Sequence, residues 1–269
     1  MVPPQRHSLP PERPKHMPLE TILLLFSIGL VGGVWNAIAG GATLFTFPAL
    51  MAVGLPSLVA NATNYLAMLP SNLSALPAYR QELREIGHRV WPLMAYSGLG
   101  AICGSLLLTV SDPKLFDALI PFLILFATGL FAFGDLLRAR AIRHFGDHAS
   151  QTLARIALFA FSIYGGYFGA GLGIILLAMV QIMGFATFHM ANSLKNLLAA
   201  SFTILSIGVF GIGGLIAWPE AAAMMVGSTI GGYMGGRCAK YVNERYLRIA
   251  VIAFGVLLSG VYFYRMGNA

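Results

Sequence analysis

A chain of 269 residues that is 57% hydrophobic and only 10% charged is not an ordinary soluble domain, in which about 25% of residues are charged. Its mean hydropathy of +0.75 points to lipid. The net charge of +7 reads as loop charge that orients a membrane protein rather than as a nucleic-acid footprint, so no nucleic-acid partner is expected.

Taken in order, residues 1–18 are Pro-rich and polar and hold too little apolar surface for a core, which predicts a disordered tail. The first apolar block, Leu19 to Ala39, ends at Gly40-Gly41, and a shorter piece, Leu44 to Val53, stops at Gly54-Leu55-Pro56. The next block, Leu58 to Ala78, carries Asn61, Thr63 and Asn64 near its start. A connection with three arginines, Arg80 to Arg89, leads to Val90–Val110, a Ser-Asp-Pro-Lys turn and the block Leu115 to Leu137. A basic connecting loop is expected over 138–152, with Arg138, Arg140 and Arg143.

The second half follows the same order. Leu153 to Phe168 runs into Gly169-Ala170-Gly171-Leu172-Gly173, followed by the short piece Ile174 to Met183. Met190 to Leu215 holds Lys195, and Trp218 to Cys238 and Tyr246 to Tyr264 complete eight main segments. Each main segment approaches the ~20 residues that cross a ~30 Å hydrocarbon layer as a helix.

The halves echo one another in detail. Ala60-Asn61 answers Ala191-Asn192, and Trp91-Pro92 with Gly100 and Gly104 answers Trp218-Pro219 with Gly227 and Gly231 at identical spacing. This predicts two membrane repeats, 19–137 and 153–266. The connection before Trp91 is basic and the one before Trp218 has no Lys or Arg, whereas the pattern after the two glycine-rich blocks is reversed. If cytoplasmic loops carry the excess of Lys and Arg, the halves face opposite ways, an inverted-topology repeat. Each glycine-broken first segment must then be a hairpin or re-entrant pair, and the basic tail, which would then lie outside, argues against the inversion.

Candidate site residues come from paired positions. Gly40 and Gly41 in one half, and Gly169, Gly171 and Gly173 in the other, interrupt apolar segments. A broken helix exposes N–H groups and a positive dipole end, which suit an anion. Asn61, Thr63 and Asn64 occupy one turn near a helix start, as do Asn192, Ser193, Lys195 and Asn196. Short polar side chains can donate to an oxyanion, and Lys supplies a point charge. A lysine at a membrane helix centre costs roughly 2.5–3.5 kcal/mol, so it is expected to face a wet cavity or a partner. Asn36 precedes the first break and is placed in the same cavity. Ser71, Asn72, Gln181, Thr203 and Ser206 are further polar residues in apolar surroundings, without an assigned role.

Other features are given packing or anchoring roles. The glycines at 227, 231 and 235 form a small-residue helix-packing face. Cys103 and Cys238 lie outside any CxxC or His-rich context and are taken as packing cysteines. Trp35, Trp91 and Trp218 are assigned to the membrane interfaces. No HExxH, GxSxG or GxxxxGK[ST] sequence is present and carboxylates are scarce in the blocks, so neither an enzyme nor a cofactor or metal site is expected.

On the glycine breaks and the paired Ala-Asn segments, the chain resembles the sulfite exporter TauE/SafE family. The residues that carry the likeness are Gly29 to Pro56 with Ala60-Asn61-Ala62-Thr63-Asn64-Tyr65-Leu66, Tyr164 to Gly184 with Ala191-Asn192-Ser193-Leu194-Lys195, Ala78-Tyr79-Arg80, and Gly231-Gly232-Tyr233-Met234-Gly235-Gly236-Arg237. Two departures are Leu194, where the pattern would place Thr, and Asn36 within the first break. The resemblance implies a multi-pass protein of the bacterial inner membrane that moves sulfite or an organosulfonate outward.

The expectation is therefore an all-α polytopic membrane protein with a central site between two halves. Its partners are the lipid bilayer and a small anion, with homo-oligomers left open. Lys195 supplies attraction, the asparagines, Thr63 and Ser193 supply hydrogen bonds, and the breaks supply backbone N–H groups. Transport of a carboxylate or metal ion, or a non-transporting scaffold, is the alternative.

Overall fold

The computed structural model describes residues 17–38, 40–145, 151–185, 187–238 and 244–267; most of the expected N-terminal tail lies outside them. All regular structure among the described residues is helical. In chain order the helices are α1 (Leu19–Ile38), α2 (Thr43–Ala52), α3 (Ser57–Ala75), α4 (Arg80–Ile86), α5 (Val90–Val110), α6 (Pro113–Phe145), α7 (Gln151–Tyr167), α8 (Leu172–Ile182), α9 (Phe188–Ile212), α10 (Trp218–Cys238) and α11 (Glu244–Gly267). Two 3₁₀ turns, Leu76–Tyr79 and Gly87–Arg89, flank α4.

Local chemistry sets these boundaries. Gly40 and Gly41 have φ of +73° and +85°, and Gly169 and Gly171 have +76° and +75°, a region that side chains bearing Cβ avoid. Each long first helix therefore stops, and a short helix of ten or eleven residues follows. Both short helices end alike. Gly54 and Gly184 take positive φ, and Leu55 and Phe185 return their N–H to Leu50 and Val180, the 6→1 closure of a Schellman motif. Asp112 caps α6 by accepting from the Lys114 amide at 2.7 Å, and the Thr187 hydroxyl caps α9 by accepting from the Met190 amide at 3.3 Å.

Glycine contacts fix the packing. A Cβ on Gly227 would strike the backbone of Phe26, one on Gly231 that of Leu30 and one on Gly235 that of Val34, so α1 lies in a groove of α10 and runs the same way. Likewise Gly100 meets Phe159 and Gly104 meets Ile163, so α7 lies parallel in a groove of α5. On the other side of α10, Gly232 meets Ser71, Gly236 meets Ala75, and the Ser228 hydroxyl donates to the Ala67 carbonyl. The α3 helix thus shares the α1 direction. Gly98 meets Leu205 and Gly213 meets Thr109, which aligns α9 with α5. Each broken helix is bedded on the glycine-rich helix of the other half, as small-residue faces in lipid allow.

Among the described residues, four helical stretches are long and apolar enough to cross a membrane: Leu19–Ile38, Ser57–Val110, Pro113–Leu130 and His189–Ile212. The second is a continuous run containing α3, α4 and α5.

Three expectations are corrected. Helix α6 continues to Phe145, so Arg138, Arg140 and Arg143 ride on a helix rather than in a loop. Trp35 is buried, edge-on to Phe45 at 6.0 Å, because it lies three residues before the end of α1 against α2; Trp91 and Trp218 are exposed at the starts of α5 and α10. Cys103 and Cys238 are both free and exposed, since each points away from the face that its helix packs.

Candidate functional site

The two breaks meet. A Cβ on Gly40 would fall 2.8 Å from the Cα of Gly173, so no side chain separates them. Beside this contact lies a cavity of about 50 Å³, enough for a small polyatomic ion or a few waters. The first half contributes Asn36, Gly40, Gly41, Thr43, Asn64 and Asn72 to its wall. The second contributes Gly169, Leu172, Gly173, Lys195 and Thr203, and Tyr65 from the first half and Phe202 from the second add aromatic cover. Because α2 starts at Thr43 and α8 at Leu172, both short helices present their N-terminal ends to this space. Those ends carry a partial positive charge, although the amides of Leu44, Phe45, Leu172 and Ile174 already donate to carbonyls of the breaks.

Lys195 is 1% exposed. Its ammonium donates to the Asn36 carbonyl at 3.4 Å, and no Asp or Glu is among the residues lining the cavity. Asn36 is held in turn, its amide donating to Ser71 Oγ at 2.7 Å and Asn72 Oδ1 at 3.1 Å. The Asn64 amide donates to Thr43 Oγ1 at 3.2 Å, which ties the start of α2 to α3.

Of the residues expected from sequence, Lys195, Asn64, Asn36, Gly40, Gly41, Gly169 and Gly173 share this wall. Asn61, Thr63, Asn192, Ser193, Asn196 and Gly171 are buried beside it without lining it. Their hydrogen bonds say what they do. Asn61 Nδ2 donates to the Tyr167 carbonyl at 2.9 Å, the last residue of α7. Asn192 and Asn196 both donate to the Ala37 carbonyl at 3.4 Å, in the last turn of α1, and Asn192 also donates to the Tyr79 hydroxyl at 2.8 Å. The asparagines of each half thus satisfy carbonyls that the broken helix of the other half leaves without partners. Thr63 Oγ1 accepts from the Ala217 amide at 3.0 Å, and the Ser193 hydroxyl folds back onto the Met190 carbonyl at 2.8 Å.

Thr43, Tyr65, Asn72 and Thr203 also line the wall. Asn72 and Thr203 stood out in sequence only as polar residues in apolar blocks. Thr43 had a sharper signal, since it follows the first break by two residues and opens α2, where an N-terminal side chain must face whatever the helix end faces.

The profile of the family described as "Sulfite exporter TauE/SafE" matches residues 25–263. The chain is 30% identical over 260 residues to a "Probable membrane transporter protein" of Haemophilus influenzae, covering 93% of this chain and 97% of that one. It is 27% identical to "Probable membrane transporter protein ORF9" of Sinorhizobium sp, covering 88% and 90%. To "Probable membrane transporter protein YfcA" of Escherichia coli it is 28% identical, covering 90% and 89%. No solved structure matches.

Proposed function

The chain belongs to the sulfite exporter TauE/SafE family and is a multi-pass membrane transporter, and from that premise we propose that it exports a small sulfur oxyanion, sulfite or an organosulfonate, across a bacterial inner membrane. The observation that carries this reading is the buried Lys195 ammonium in a cavity whose wall has no carboxylate. The ends of α2 and α8 add two partial positive charges from opposite sides, which a bound anion offsets. Thr43 and Thr203 add hydroxyls at the same wall. Metal-cation cargo is disfavoured, because no group of three His, Cys, Asp or Glu among the described residues could hold a metal ion.

The two halves are read as an inverted repeat. With α1, α3 and α10 running one way and α5, α7 and α9 the other, the segment 76–89, the start of α7 and the end of α10 share one face of the molecule. Around them stand Arg80, Arg84, Arg89, Arg140, Arg143, Arg155 and Arg237. The opposite face has the connection with Asp112 and Lys114 and the uncharged one before Trp218. The arginine-rich face is then cytoplasmic, and the cavity lies between two oppositely inserted hairpins.

The test is equilibrium binding of sulfite and of a simple alkylsulfonate to purified protein and to Lys195→Met. A charge-assisted hydrogen bond contributes about 1.5–3 kcal/mol, so the variant binds about 10- to 100-fold more weakly while staying folded. Equal binding by both proteins overturns the site, and wild-type binding of carboxylates or divalent metal ions in place of sulfur oxyanions overturns the cargo.

A further inference from the structure

The last turns of the two broken helices are stabilised by unlike groups. At the end of α1, carbonyls accept from the Lys195 ammonium and from the amides of Asn192 and Asn196. At the end of α7, the donors are the Asn61 amide to the Tyr167 carbonyl and the Tyr65 hydroxyl to the Gly165 carbonyl. One set includes a full positive charge; the other is neutral. A helix C-terminus carries roughly half a negative charge, so a fixed cation meets the end of α1 and none of these donors does so for α7.

The sequence shows where the difference arises. Lys195 stands four places after Ala191, and Asn64 stands four places after Ala60. Where α9 has an ammonium, α3 has an amide. The side-chain oxygens of Asn61 and Asn64 are buried without a hydrogen-bond partner, and Asn64 lines the cavity. A buried acceptor left so costs about 1–3 kcal/mol. Asn192 and Asn196 also have unpartnered oxygens, but between them on the same helix Lys195 already supplies a positive charge.

We propose that Asn61 Oδ1, beside the C-terminal end of α7, and Asn64 Oδ1, one turn further along α3 at the cavity wall, hold a small monovalent alkali cation of the sodium class, which does for α7 what Lys195 does for α1. The donor chemistry selects this ligand. Amide oxygens do not titrate at ordinary pH, so the pair is no proton carrier. Oxygen ligands without a carboxylate suit a monovalent ion better than calcium or magnesium, whose sites draw on Asp and Glu. Ends of broken helices are also where transporters place coupling cations. A cation there borders the cavity that Lys195 borders, so a bound anion lies between two positive charges and each ligand tightens the other reciprocally. The cation site goes beyond the proposed anion cargo and rests on it only for this last coupling.

Thermal unfolding of purified protein in sodium chloride, against equal N-methyl-D-glucamine chloride and with no sulfur oxyanion present, tests the site apart from the cargo. Sodium raises Tm by about 5 °C when it is roughly 100-fold above its Kd, and saturable binding of radioactive sodium accompanies the shift. In Asn64→Lys, which copies the α9 arrangement into α3, the sodium response disappears. Identical Tm in the two salts together with no saturable sodium binding overturns the proposal, as does an Asn64→Lys protein that still responds. Should that variant not fold, the wild-type sodium measurements decide alone.

Discussion

Asn61 and Asn192 occupy matching places in the sequence, yet each reaches a carbonyl more than 100 residues away, at Tyr167 and Ala37. Asn61→Ala leaves the Tyr167 carbonyl without its side-chain donor, at a cost of about 1–3 kcal/mol, and Asn192→Ala removes two hydrogen bonds, to Ala37 and to Tyr79, although Asn196 still donates to the Ala37 carbonyl. Asn61→Ala and Asn192→Ala are therefore both expected to lower Tm. Tyr79→Phe should lower it less than Asn192→Ala, because the Asn192 amide keeps its Ala37 acceptor when the Tyr79 hydroxyl is lost. Thermal unfolding of the three variants checks that order. These residues were legible in sequence as paired polar positions of an apolar segment. Their partners were not, because hydrogen bonds across such separations depend on which helices neighbour in space. Asn61, Asn192 and Asn196, expected at the site, are buried without lining the cavity, whereas Lys195, Asn64 and Thr43 line it.

Among elements, the glycine-bedded helices give the clearest prediction. A side chain at Gly231 would overlap the Leu30 carbonyl at 2.0 Å, an overlap with rigid backbone that no rotamer relieves. Gly231→Leu should force α1 off α10 and abolish recovery of folded protein, beyond the 1–3 kcal/mol usual for overpacking. Gly129, within α6, meets nothing within 4 Å, so Gly129→Ala should be neutral or stabilising by up to about 1 kcal/mol through helix propensity. Size-exclusion profiles and Tm of the two variants make the comparison. The apolar blocks forecast most helix boundaries within a few residues, since hydropathy and glycine breaks are local signals. The end of α6 escaped because arginines suit a helix that leaves the membrane as well as they suit a loop. Sequence showed the glycine face of α10 but not its occupant.

At the scale of the whole molecule, the inverted reading assigns opposite sides of the membrane to α4 and to the α5–α6 turn. In a background with Cys103 and Cys238 replaced by Ser, Lys114→Cys should react with a membrane-impermeant maleimide in intact cells. Arg84→Cys should react only after the cells are opened. Labelling of both residues from the same side would place the two connections on one face and remove the inversion. The crossed bedding of α1 on α10 and of α7 on α5 also bears on ancestry. On the inverted reading, neither half can fill its own groove, since the helix that fits it always belongs to the other. A forerunner with a single copy of the unit could reach the same contacts only as two identical chains threaded through the bilayer in opposing senses, embracing one another as the fused halves now do.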